Sequence, residues 1–151
     1  MALTLDQAST IVDTALAAAR TEDMNPLTVV VFDAGGHLKA LKREDGCGIL
    51  RVEVASGKAY GALGMGLSSR KLRDNLVDAR PTFVNALAAA AQGRFIAVPG
   101  GVLIKDDGGE IIGAVGVTGD TSEKDEYAAI QGIKAVGLKS DPEEPDPNWR
   151  G

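Results

Sequence analysis

The sequence predicts an α+β fold, an antiparallel sheet with helices packed on it, and three observations predict it. Two apolar, β-rich stretches are each broken by a short Asp/Gly turn, Asp33-Ala34-Gly35-Gly36 and Asp106-Asp107-Gly108-Gly109. Such turns join hairpins. Segments with helical periodicity lie before, between and after the two hairpins, which suggests an antiparallel layer and not a doubly wound parallel sheet.

Taken in order, Thr4 and Gln7 have capping-box spacing, and Leu5, Ala8, Ile11, Val12, Ala15, Leu16 and Ala19 form one apolar stripe. Residues 5–21 are therefore expected to be an amphipathic helix. After Asn25-Pro26, residues 27–32 are β-branched and apolar with little alternation, as in a strand covered on both faces. Residues 37–42 alternate and return as the second strand of the hairpin. Residues 43–48 form a loop.

Beyond the loop, Ile49, Val52, Ala55, Ala59, Ala62 and Leu63 recur at helical spacing despite Gly57, Gly61, Gly64 and Gly66. Each glycine costs about 1 kcal/mol relative to alanine in a helix, so their density implies close packing against another backbone. A short helix is expected around 69–77, and Pro81 opens an alanine-rich helix over 81–92 that Gly93 closes. Residues 95–98, the kink Pro99-Gly100-Gly101 and residues 102–105 read as strand, kink and strand, returning through 110–117. A last helix starts near Thr121 and runs to about Val136, with Gly137 as its cap. The Pro- and acid-rich residues 140–151 are expected to be a flexible or loosely docked tail on a single domain of residues 1–139.

A chain of 151 residues suits one domain, and at that size about 70 % of the unfolded surface is buried. The net charge of −5 repels a polyanion, so nucleic acid is not an expected partner. No window approaches the apolar length of a membrane helix, and the start lacks the basic and apolar regions of a signal peptide. Cys47 is the one cysteine, which excludes an intrachain disulfide and a cysteine-rich zinc site. A cytoplasmic, reducing location is the simplest expectation.

Three runs carry a resemblance to a known family: VVVFDAGGHLKALKREDG at 29–46, KAYGALGMGLSSRKL at 58–72 and PGGVLIKDDGGEIIGAVGVTGDTSEKDE at 99–126. In order and residues they resemble the GlcG/HbpS-like family, which includes the C-terminal domain of PduO-type proteins. The resemblance implies a profilin-like antiparallel sheet of about five strands flanked by helices, and homo-oligomers from dimer to octamer. It also implies haem or related tetrapyrrole binding in some members, and proximity to small-molecule catabolism in others. Two departures stand out. Positions 1–25 contain no histidine where haem-binding members place one, and the family's GGVP is GGVL here.

Candidate site residues follow. His37, the sole histidine, is the one possible imidazole ligand to iron or base near neutral pH, although a polar residue after a Gly-Gly turn is usually exposed. Arg43 could clamp a carboxylate, or simply belong to a solvated loop. Lys58 is a further anion partner, with an ordinary surface lysine as the competing reading. Gly100, Gly101, Thr118 and Gly119 stand at strand ends where backbone N–H groups can face a ligand, or where glycines merely permit close packing. Asp125 sits in an acidic helix start that the helix dipole favours by itself; facing Arg43, it would be an acid–base candidate. No metal-ligand pattern is present.

Two functions are therefore expected from these residues. The first is a binding module for haem or another carboxylate-bearing molecule, held by Arg43, Lys58 and backbone amides. The second is an isomerase, hydrolase or lyase acting on a keto or hydroxy acid, with Asp125 as acid–base and Arg43 as clamp. A purely scaffolding oligomer is the third reading.

Overall fold

A computed structural model describes residues 1–151. The sheet has five antiparallel strands: β1 (Thr28–Asp33), β2 (Leu38–Arg43), β3 (Gly101–Lys105), β4 (Ile111–Thr118) and β5 (Lys139–Asp141). Their spatial order is β2-β1-β4-β3-β5. The two hairpins thus meet along β1 and β4, where Thr28 faces Thr118 and Asp33 faces Gly113.

Both faces of the sheet are covered, and this explains why β1 does not alternate between apolar and polar. Val29 and Val31 point toward α1 (Leu5–Thr21) and α5 (Ser122–Ala135), where Ile11, Val12, Ile130 and Ile133 are fully buried. Val30 and Phe32 point the other way, onto Ala55, Ala59 and Ala62 of α2 (Arg51–Met65). The expected cap of α1 is present, with the Thr4 hydroxyl accepting from Gln7 and the Gln7 side chain accepting from Thr4.

The glycine-rich α2 lies with its backbone directly on the sheet. A Cβ at Gly116 of β4 would overlap the Ala55 carbonyl oxygen, and one at Gly101 of β3 would overlap the Lys58 carbonyl. No side-chain rotation relieves a clash with backbone, so this contact demands glycine. Beyond α2 come α3 (Ser69–Leu72), a π-helical turn (Arg73–Val77) and α4 (Pro81–Ala90). Although α4 is built of alanines with Phe83, Val84 and Leu87, it has no fully buried residue.

Two segments differ from the sequence expectation. Residues 95–98 are extended but join no sheet; the Ile96 amide instead donates to the Gly57 carbonyl at 3.2 Å, and Phe95 and Ile96 cover Gly61 and Gly57. They are excluded because both edges of β3 are already paired, with β4 and with β5. The fifth strand comes from the stretch expected to be a flexible tail. Ile104 pairs with Ser140, and farther on the Trp149 ring stacks on Tyr127 with centroids 3.7 Å apart and planes 5° from parallel. Arg150 then pairs with Glu22 at 2.8 Å. The apolar indole supplies what the acidic composition concealed.

Candidate functional site

The chemistry-bearing side chains converge where α2 crosses the ends of β3 and β4. Arg51 and Lys58 are two helical turns apart on α2, so both face the same side. Lys58 Nζ donates to the Val117 carbonyl at 3.0 Å and to Asp125 Oδ2 at 3.1 Å. Asp125 Oδ1 accepts from the Asp120 amide at 3.0 Å. The Lys58 and Asp125 side chains are 2 % and 1 % exposed.

Removing two charges from water pushes both toward their neutral forms. Burial lowers the Lys58 ammonium from its ordinary value, while Asp125 holds it up. Burial raises the Asp125 carboxyl to about 6, against the opposing attraction of Lys58. Glu126, beside it on α5, is also raised by burial and held by a two-pronged ion pair with Arg70. Arg73 meets Glu123 at 3.5 Å. Cations from three successive elements thus occupy the acidic start of α5.

Arg51 is different. Its Nη1 donates to Thr118 Oγ1 at 2.8 Å and it pairs with no carboxylate. Sequence reasoning passed over it. The available signal was a cation in the first turn of a helix, where the dipole disfavours positive charge, directly after the exposed Ile49 and Leu50.

The other residues singled out from sequence fall in separate places. Arg43 pairs across β1 with Thr28, which pairs with Thr118, so Arg43 lies at the same sheet end, about 10 Å from Thr118 by two interstrand steps. Its Nη1 donates to the Cys47 carbonyl at 2.7 Å, and it lines an open groove of about 480 Å³ with Arg20, Lys42 and Glu44. Asp125 is sealed beneath Lys58, so it and Arg43 do not share that groove. Lys58 is no surface lysine. Gly100, with φ of 124°, and Gly101 cradle the Lys58 side chain and backbone, and Gly119, with φ of 144°, passes under the Pro26 carbonyl.

His37 is at the opposite end of β2, roughly 20 Å along a six-residue strand. Its side chain is 82 % exposed, with Nδ1 3.4 Å from Asp33 Oδ1. The structure therefore brings Lys58, Asp125, Thr118 and the paired glycines together, sets Arg43 at their margin, and leaves His37 apart.

Fold and site define a small α+β domain with a cation-lined sheet end. The match to the HbpS-like family, described as haem-degrading proteins, spans residues 3–134. The chain belongs to that family. Among solved structures it is similar to a PduOC–haem complex, with 25 % identity, TM-score 0.80, and 91 % of this chain and 97 % of that one covered. HbpS itself matches at 25 % identity and TM-score 0.77, covering 91 % and 92 %. The Klebsiella pneumoniae protein ORFY shares the fold at 24 % identity and TM-score 0.80, covering 89 % and 90 %. No curated protein matches the chain significantly. No helix is long and apolar enough to cross a membrane.

The donor set at the sheet end suits one part of a haem. Arg51 and Arg43 would be the residues to hold propionates through their guanidinium groups, and no imidazole stands beside them to hold an iron. Cys47 is buried with its Sγ 3.2 Å from Thr28 Oγ1. These residues fit the carboxylates of the group and not axial ligation by histidine.

Proposed function

We propose that this chain binds a small anionic molecule, haem or another flat carboxylate-bearing compound, at the sheet end around Arg51, as part of a homo-oligomer. The observation that carries the reading is the Arg51–Thr118 contact: a guanidinium positioned by one hydroxyl and paired with no carboxylate, while the neighbouring Lys58, Arg70 and Arg73 each meet one. Arginine presents a planar fork of donors, and a carboxylate satisfies two of them at once.

Next to it, Ile49 and Leu50 are 91 % and 69 % exposed. Adjacent large aliphatics in water favour a covering partner. A second copy of the chain, or the apolar face of the ligand, supplies that cover.

Absorbance titration with haemin and with iron-free protoporphyrin tests the proposal. Both are expected to bind, because recognition rests on carboxylates; Arg51→Ala weakens both by roughly tenfold or more, and His37→Ala leaves both unchanged. Absence of any Soret change at micromolar haemin removes the haem version. Unaltered binding of both porphyrins by Arg51→Ala removes the site.

A further inference from the structure

A second set of polar groups lies on α2, on the side of the helix opposite Arg51 and Lys58. Glu53, Ser56 and Tyr60 follow one another there at spacings of three and four residues and so share one face. Beside that face the chain turns back after α4 through two consecutive left-handed residues, Gln92 with φ of 55° and Gly93 with φ of 84°. A non-glycine residue in that region is uncommon and is kept only where surrounding structure fixes it. The turn delivers Arg94, whose guanidinium lies on the Tyr60 ring, 3.7 Å from the centroid.

Val52, Glu53, Ser56, Gln92, Gly93 and Arg94 together line a cavity of about 330 Å³ between α2 and this turn. At roughly 30 Å³ per water, it has room for about eleven waters, which admits a short-chain organic ion. Two full charges of opposite sign line this space without meeting: no ion pair joins Glu53 to Arg94, and neither pairs with any other residue. The Ser56 hydroxyl and the Gln92 side-chain amide, on the same walls, make no hydrogen bond within the chain either. Glu53 precedes Tyr60, and the guanidinium stacked on it, by two helical turns, roughly 10 Å along the axis. Carboxylate and guanidinium therefore stand at separate ends of the cavity.

We infer that this cavity binds a short ω-amino acid, with its carboxylate on Arg94 and its ammonium on Glu53. The charges select the occupant. A simple carboxylate on Arg94 leaves Glu53 facing a second negative group, and a simple amine on Glu53 leaves Arg94 facing a second positive one, whereas a zwitterion satisfies both ends. The separation of the two ends selects among zwitterions: an α-amino acid carries both charges on one carbon and reaches one end, while a chain of three or four carbons spans the gap. Ser56 and Gln92 then supply donors and acceptors between the ends. Stacking on Tyr60 holds the guanidinium in place before the ligand arrives, which reduces the ordering cost of binding.

Titration with 4-aminobutyrate, butyrate and n-butylamine, followed by the amide resonances of Ser56, Gly93 and Arg94 in heteronuclear NMR, tests this. The unmodified protein is expected to bind 4-aminobutyrate at millimolar concentration, with saturating shifts confined to the cavity, and each single-charge analogue roughly fivefold more weakly. Arg94→Met, at an exposed position, erases the preference over butylamine and keeps the preference over butyrate. Glu53→Gln, also exposed, does the reverse, and unchanged shifts elsewhere in both variants show the fold intact. Absence of saturating shifts at tens of millimolar 4-aminobutyrate overturns the inference. So does butyrate binding as tightly as 4-aminobutyrate, which would make this a plain anion site, or a variant that leaves both preferences as they were.

Discussion

Lys58 Nζ lies 3.1 Å from Asp125 Oδ2 in a place where neither side chain reaches water, pinned between α2, the end of β4 and the start of α5. The pair joins the helix on one face of the sheet to a helix on the other. Its third partner, the Val117 carbonyl, belongs to the strand between them.

Breaking this pair from one side is expected to be costly. Lys58→Met leaves a carboxylate buried without its counter-ion, an expected loss of about 3–5 kcal/mol. Replacing both, as Lys58→Met with Asp125→Leu, leaves no orphaned charge and is expected to recover more than half of that loss. Urea denaturation of the two single variants and the double variant measures it, and additivity of the single losses would refute the coupling.

The same pair sets a pH dependence. Asp125 has its folded value raised from 3.8 to about 6, so between those values the folded state holds a proton that the unfolded state has released. Its contribution to stability is therefore complete below about 3.8 and is lost as pH rises through about 6. Relative to Asp125→Asn, the unmodified protein is expected to lose stability from pH 4 to pH 6. The cost of Lys58→Met is expected to grow as pH rises above about 6, where Asp125 ionises in the intact protein and its charge needs the partner. Chemical denaturation at half-unit pH steps reports both slopes.

Two glycines of one packing unit are expected to respond oppositely to alanine. Gly116→Ala drives a methyl into the Ala55 carbonyl and pushes α2 off the sheet, costing about 3 kcal/mol. Gly64→Ala meets nothing and removes only a flexible residue from a helix, gaining about 0.5–1 kcal/mol. Thermal unfolding separates them by sign.

Trp149 is the sole tryptophan, and it stacks on Tyr127, so its fluorescence reports whether the C-terminal segment is docked. Tyr127→Ala is expected to shift the emission to the red, with a stability loss of about 1 kcal/mol from the lost stacking. An unshifted spectrum would show that the ring contact does not hold the segment.

Much of the framework was readable residue by residue. The Thr4–Gln7 cap, the two Asp/Gly turns and the αL glycine at 137 act within a few positions of the chain, and their geometry follows from local chemistry. Glycine density in α2 correctly announced close backbone packing. The site was less legible. Lys58 reads as an exposed lysine because nothing nearby in sequence reveals Asp125, sixty-seven positions away, and the expected meeting of Arg43 with Asp125 failed because Asp125 is sealed beneath Lys58.

What the sequence by itself determined is the set of elements, the hairpins and the family, because periodicity, turn residues and short motifs are local or contiguous properties. Tertiary structure alone decided which segment became the fifth strand, which lysine was buried, and which arginines were left without an anion. Those outcomes depend on competition between distant segments for the same sheet edge and on which charges find partners across the core. Residues 95–98 have the composition of a strand, yet β5 holds the edge of β3 and the extended segment hydrogen-bonds to α2 instead.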